Sequence, residues 1–141
     1  MDPEYTDKFL EVVGAAATPD NGDPQTILHR AYGAIIQGDF NSFGEHLAED
    51  IELHIRGLGP LDGTWRGREK VLAATRRNFG EVADQKPAVE GMISQGDSVA
   101  VLLHESGIFK SSGQPYSVRG VQWFTFAGGK IKKIDEIVAS I

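Results

Sequence analysis

Cysteine is absent from the 141-residue chain, which excludes a disulfide framework, a thiolate metal site and a thiol nucleophile. A basic surplus is missing too: 14 lysines and arginines stand against 20 aspartates and glutamates, a net charge of −6. Nucleic-acid recognition leans on a basic surface. The basic spots at Arg66/Arg68, Arg76-Arg77 and Lys130/Lys132/Lys133 are short and broken by acidic or apolar residues, so they read as solvated faces. No apolar run approaches the roughly 20 residues of a membrane span. The start, Met1-Asp2-Pro3-Glu4, is acidic where a signal peptide is basic. The expectation is a cytoplasmic protein without a membrane or nucleic-acid partner. No HxH or HExxH pattern, nucleophile elbow or phosphate-binding glycine loop occurs, so no metal and no cofactor are expected.

What is present is β-structure in the last third. Strand-like runs at 98–109, 116–126 and 130–138 are separated by Ser111-Ser112-Gly113-Gln114-Pro115 and by Gly128-Gly129. Two such turns predict a three-stranded antiparallel meander. Its first two strands exceed the usual five or six residues, and long strands twist and curl into a concave face. A further strand is expected at 87–94, turning at Gly96-Asp97. Upstream, residues 50–56 alternate cleanly, with Ile51, Leu53 and Ile55 on one face and Glu52, His54 and Arg56 on the other.

The first half reads as helical. Residues 4–17 carry Tyr5, Phe9, Val12, Val13 and Ala16 at helical spacing, and Thr18 to Asp23 is a break rich in turn residues. Asp23-Pro24 supplies an N-cap and a first-turn proline, and Leu28, Ala31, Tyr32 and Ile35 form one stripe ending at Gly38. Asp39 caps a short helix expected to bury Phe40, Phe43 and Leu47. Gly57 to Gly63 reads as loop, and 68–79 as a helix burying Val71, Leu72, Thr75 and Phe79. Helices segregated onto one face of an antiparallel sheet make an α+β domain.

Four pieces stand in a telling order: Gly38-Asp39-Phe40, Leu47-Ala48-Glu49-Asp50-Ile51, Gly67-Arg68-Glu69-Lys70-Val71, and Val121-Gln122-Trp123-Phe124-Thr125-Phe126 with Gly129-Lys130-Ile131. In order and spacing they resemble the SnoaL-like and ketosteroid-isomerase-like proteins, over about 25–138. The resemblance implies an NTF2-like cone, a curved antiparallel sheet whose concave face is closed by helices around an apolar pocket, usually as a homodimer. Residues 1–23 then form an N-terminal helical extension and linker, either capping the pocket or reaching a dimer partner, and 24–141 the domain. Relatives include isomerases, dehydratases, polyketide cyclases and proteins that only bind ligands.

The steroid-isomerase residues do not carry over. The tyrosine position holds Ala31, with Tyr32 beside it, the base position holds Ile55, and the acid position holds Gln122, which carries no proton. Other residues remain for chemistry. Pairing the long strands about Ser112-Gly113 sets Glu105 opposite Gly120 and Leu103 opposite Gln122, with Gly120 leaving room for a ligand atom. Glu105 and Gln122 then share a face with Val99, Val101, Phe124 and Phe126, where desolvation raises a carboxyl pKa toward a useful range. The bland alternative pairs Glu105 with an arginine such as Arg119.

On the last strand, a two-residue turn at Gly128-Gly129 would put Asp135 on that face, and a three-residue loop with a bulge would put Glu136 there. The resemblance favours Glu136. The expected catalytic pair is Glu105 as acid/base and Gln122 as donor to a carbonyl. Tyr32, Ile55, Trp65, Leu103, Phe124 and Glu136 are expected at a small, largely apolar ligand with a polar handle. His54 and His104 alternate with the inner residues and face outward. Trp123 also lies outside, and with Val121 and Leu102 it suggests a homodimer face. Two functions fit: proton-transfer chemistry on the ligand, or ligand binding or adaptor work without catalysis.

Overall fold

The computed structural model describes residues 3–15 and 23–141. Helices α1 (Pro3–Ala15), α2 (Pro24–Ile36) and α3 (Phe40–Glu45) precede β1 (Leu47–Arg56) and β2 (Gly63–Arg66). Helix α4 (Arg68–Gly80) follows, then β3 (Val82–Gln95), β4 (Ser98–Phe109), β5 (Pro115–Ala127) and β6 (Lys130–Ser140). The strands form one curved, unclosed sheet in the order β2-β1-β6-β5-β4-β3. This is the expected α+β class with its antiparallel meander. One ladder differs: β1 runs parallel to β6. The connection from β1 passes through β2, α4 and the meander before β6 returns beside it, which a local pattern does not reveal.

The helix starts follow their caps. Asp23 accepts from the Thr26 amide at 3.2 Å, and Asp39 from the Ser42 amide at 3.1 Å. Each satisfies a donor that the first turn leaves open. Leu28, Ala31 and Tyr32 bury the α2 stripe. Leu47 is not on α3; it opens β1, fully buried. On α4 the buried set is Val71, Ala74, Thr75 and Asn78, shifted from the expected Leu72 and Phe79. The linker expected before Asp23 lies mostly outside the described residues. Helix α1 packs on α2 and β3 of its own chain, and Phe9 sets its ring edge-on to Tyr32 at 4.7 Å.

Strands β2 and β3 depart most from expectation. The four-residue β2 pairs Trp65 with Leu53, a strand that was not expected; only its first residue, Gly63, belongs to the expected loop. The strand expected at 87–94 extends back to Val82 through a bulge between Ala83 and Lys86, with Asp84 at φ 51°. Pro87 is tolerated because β3 is an edge strand.

The β4–β5 register is slipped by two from the turn-centred expectation. Glu105 pairs with Val118, Leu103 with Gly120 and Val101 with Gln122. Gly120 does not make room for a ligand: a Cβ there would lie 2.1 Å from the Ile137 carbonyl oxygen. Its missing side chain is what lets the β6 backbone close against β5. A slip of two keeps every side chain on its face, so Val99, Val101, Phe124 and Phe126 remain buried inside.

Candidate functional site

Between the inner sheet face and helices α2 and α4 lies a cavity of about 120 Å³. Its walls are mostly apolar, including Leu28, Phe43, Ile55, Phe124 and Ile134. Tyr32, Gln85, Glu105, Gln122 and Glu136 interrupt them. Polar groups in an apolar enclosure must find partners or lose stability, and each of these five does.

Two hydrogen-bonded sets result. In the first, the Tyr32 hydroxyl donates to Gln122 Oε1, and Gln122 Nε2 donates to Glu136 Oε2 at 3.0 Å. The order of donors is dictated by its end, since a carboxylate only accepts. Tyr32 is held in place by Phe9 on one side and Phe124 on the other, the latter edge-on at 5.7 Å. In the second set, Gln85 Nε2 donates to Glu105 Oε1 at 2.9 Å and the Tyr116 hydroxyl to Glu105 Oε2 at 2.7 Å. Tyr116 stacks on Phe109 and crosses the face of Gly107, where a Cβ would lie 2.8 Å from the ring.

Glu136 reaches the inner face by a route that neither turn considered in the sequence supplies. The Gly128-Gly129 turn has two residues, with Ala127 opposite Lys130. A register shift between Thr125 and Phe126 then moves Glu136, not Asp135, opposite Gln122. The shift lies on the β6 side alone: the Phe126 amide points to β4 and donates to the Asp97 carbonyl at 2.8 Å, continuing the register that sets Ser98 opposite Thr125.

Burial pushes the Glu136 carboxyl up to about 7, the Glu105 charge pushes the same way, and the Gln122 hydrogen bond opposes them. Glu105 is also raised by burial, against the hydrogen bonds from Tyr116 and Gln85. Both tyrosines are raised by burial and by the carboxylates, so they stay protonated as donors. Arg119 does not neutralise Glu105; it pairs with Glu90 at 2.6 Å.

The structure therefore brings Tyr32, Ile55, Glu105, Gln122, Phe124 and Glu136 to one cavity. Trp65 and Leu103 are not among its lining residues. Trp65 sits at the β2 edge of the sheet with the Arg77 guanidinium over its ring at 5.5 Å. Leu103 is 3% exposed and taken up by the core. Gln122 bonds to Glu136 and Tyr32, with one N–H of its amide left over.

Sequence reasoning missed Tyr116 and Gln85. Tyr116 has the same parity along β5 as Gln122, so strand alternation could have found it. Gln85 had no such signal, because the left-handed backbone at Asp84 is what turns it inward. His54 lies outside, within 3.2 Å of Glu52 and 3.1 Å of Thr64. Among the described residues no cluster of histidine, aspartate and glutamate could hold a metal, and no helix is long and apolar enough to cross a membrane.

Residues 28–134 match the family described as the SnoaL-like domain. Among solved structures, an NTF2-like protein from Burkholderia xenovorans LB400 is 26% identical, with a TM-score of 0.71 over 82% of this chain and 88% of that one. A putative SnoaL-like polyketide cyclase from Jannaschia sp. CCS1 is 18% identical, with a TM-score of 0.72 over 86% and 89%. A protein from Catenulispora acidiphila with a ketosteroid isomerase-like fold, in complex with trimethylamine, is 18% identical, with a TM-score of 0.68 over 87% and 88%. The last two likenesses concern the fold alone. No curated protein matches the sequence.

Proposed function

The chain belongs to the SnoaL-like domain family, and from that premise we propose that its cavity binds a small, largely apolar molecule on which Glu136 transfers a proton. The family includes polyketide cyclases and isomerases, and proton transfer is the chemistry those share with the residues found here. One observation carries the reading: Glu136 is buried in an apolar cavity, oriented by Gln122, with its carboxyl at about 7. A general acid/base works best when its pKa lies near the working pH.

This moves the proton carrier from Glu105 to Glu136. Glu105 receives a donor on each oxygen, which favours its carboxylate form. Its charge then raises the neighbouring Glu136. Tyr32 and Gln122 position Glu136 and do not themselves meet the reacting atoms in this reading.

The non-catalytic reading also has an observation behind it. Among the described residues no side-chain polar atom cut off from solvent lacks a partner, so the fold does not need a ligand to satisfy them. Native mass spectrometry of the purified protein, followed by turnover of the recovered ligand, separates the two. Glu136→Gln should bind that ligand and lose about 10²–10⁴-fold in rate, the usual contribution of general acid–base catalysis. Undiminished turnover by this variant rules out the proton-transfer role, and a ligand that wild type binds but never turns over favours the binder.

The proposal includes a homodimer through the outer sheet face. Trp123 is 52% and Ile137 54% exposed there, and Val121 pairs with both Leu102 and Ile137 in the ladders. A contiguous apolar row of this kind on a sheet face supports a covering partner.

A further inference from the structure

The polar wall of the cavity has a direction. The Tyr32 hydroxyl donates to Gln122 and the Gln122 amide to Glu136. The Gln85 amide and the Tyr116 hydroxyl both donate to Glu105. Thr75, also on the wall, donates its hydroxyl to the Val71 carbonyl at 2.8 Å. Thr75 aside, what these bonds converge on is carboxylate oxygen, which only accepts when ionised. A primary amide carries two N–H donors, so Gln85 and Gln122 keep one apiece, and Asn78, whose carbonyl oxygen accepts from Arg77 at 3.2 Å, keeps its own.

Charge runs the same way. Among the described residues no lysine, arginine or histidine lines the cavity, whereas Glu105 and Glu136 both do. The basic groups on the neighbouring sheet surface are engaged elsewhere, Arg119 with Glu90, Lys132 with Asp50 and Lys133 with Asp135. Two carboxyl groups in an apolar enclosure without a cation repel one another and lose hydration, and an opposite charge relieves both costs. A neutral ligand leaves that charge uncompensated, and an anionic ligand adds like charge.

We infer that the cavity takes an organic cation, a small apolar body bearing a protonated amine whose N–H donors turn to Glu136, with Glu105 adding a second negative charge to the wall. The inference rests on the cavity being the ligand site, and it names the ligand's chemical class. The ammonium supplies the positive charge that the wall lacks, while Leu28, Ile55, Phe124 and Ile134 enclose the apolar body. A volume of about 120 Å³ suits a body the size of a single ring, since a dry cavity of about 150 Å³ holds benzene.

Three matched probes test this: benzylamine, benzyl alcohol and benzoate, titrated calorimetrically near pH 8, where the amine is still charged and which lies above the Glu136 carboxyl at about 7. Methyl NMR shifts of Ile55 and Ile134 report whether a probe enters the cavity. Benzylamine should bind tighter than benzyl alcohol by about tenfold or more, the worth of a hydrogen bond to a charged group, and benzoate should not bind. Glu136→Gln should bring the benzylamine and benzyl alcohol affinities together, and Glu105→Gln should narrow the gap in part. The wild-type comparison stands even if neither variant folds. Benzyl alcohol or benzoate binding as tightly as benzylamine overturns the cationic ligand and leaves the cavity as the site. Failure of all three to shift the Ile55 and Ile134 methyls overturns the site as well.

Discussion

Gln122 and Glu136 face each other across the β5–β6 ladder, paired in register, with Nε2 and Oε2 3.0 Å apart. The amide holds the carboxylate with one end and receives the Tyr32 hydroxyl with the other. A residue that cannot titrate thereby organises one that does.

Replacing Gln122 by leucine should therefore expose its importance. Both the Tyr32 hydroxyl and Glu136 lose their partner, at roughly 1–3 kcal/mol for each buried group left unmatched. Urea denaturation should show a loss of about 2–4 kcal/mol. The Gln122 hydrogen bond lowers the Glu136 carboxyl, so its removal should raise that carboxyl further, which carboxyl-carbon NMR titration would register. An unchanged Glu136 titration would contradict the contact.

Stability should fall as pH rises through the range set by Glu136. In the unfolded chain this carboxyl releases its proton near its ordinary 4.5, while in the folded protein it holds it to about 7. Between those values the native state binds more protons than the unfolded one, so the stabilisation is complete below pH 4.5 and lost as pH passes 7. The full effect is roughly 3 kcal/mol. Glu105, also raised, acts in the same direction. Denaturation across a pH series should show wild type losing stability through this window and Glu136→Gln losing markedly less; parallel curves would sink the claim.

Gly120→Ala should destabilise the sheet. The new methyl would meet the Ile137 carbonyl oxygen at 2.1 Å and the Val138 Cα at 2.6 Å, backbone atoms that cannot step aside. A loss of about 2–3 kcal/mol is expected from overpacking of this kind. Thermal melting would check it, and a melting point equal to wild type would mean that β6 does not approach β5 so closely.

The bulge at Asp84 gives a paired test. Asp84→Val places a β-branched residue at φ 51° and should cost about 1–2 kcal/mol. It should also pull Gln85 from Glu105. Asp84→Gly removes the strain and should keep both stability and the Glu105 titration near wild type. Equal behaviour of the two variants would show that the left-handed backbone is not what aims Gln85.

Light scattering at micromolar concentration should give twice the 15.3 kDa chain mass. Trp123→Asp, on the outer sheet face, should return it to a single chain without disturbing the inner row. A wild-type protein that scatters as one chain refutes the proposed dimer.

By itself the sequence determined the helices, the meander and which residues of its first two strands face inward. These follow from period and punctuation, which are properties of a few consecutive residues. Facing even survived an error in register, because a slip of two residues leaves each side chain on its own side; Glu105 and Gln122 point inward although their expected partners were wrong. Only the tertiary structure decided the rest. The parallel β1–β6 ladder joins segments far apart in the chain, and bulges in β3 and β6 turn Gln85 and Glu136 toward the cavity. A bulge adds one residue to one strand and inverts facing beyond it. Its position is set by what packs across the sheet, and the residues on the bulged strand carry no mark of it.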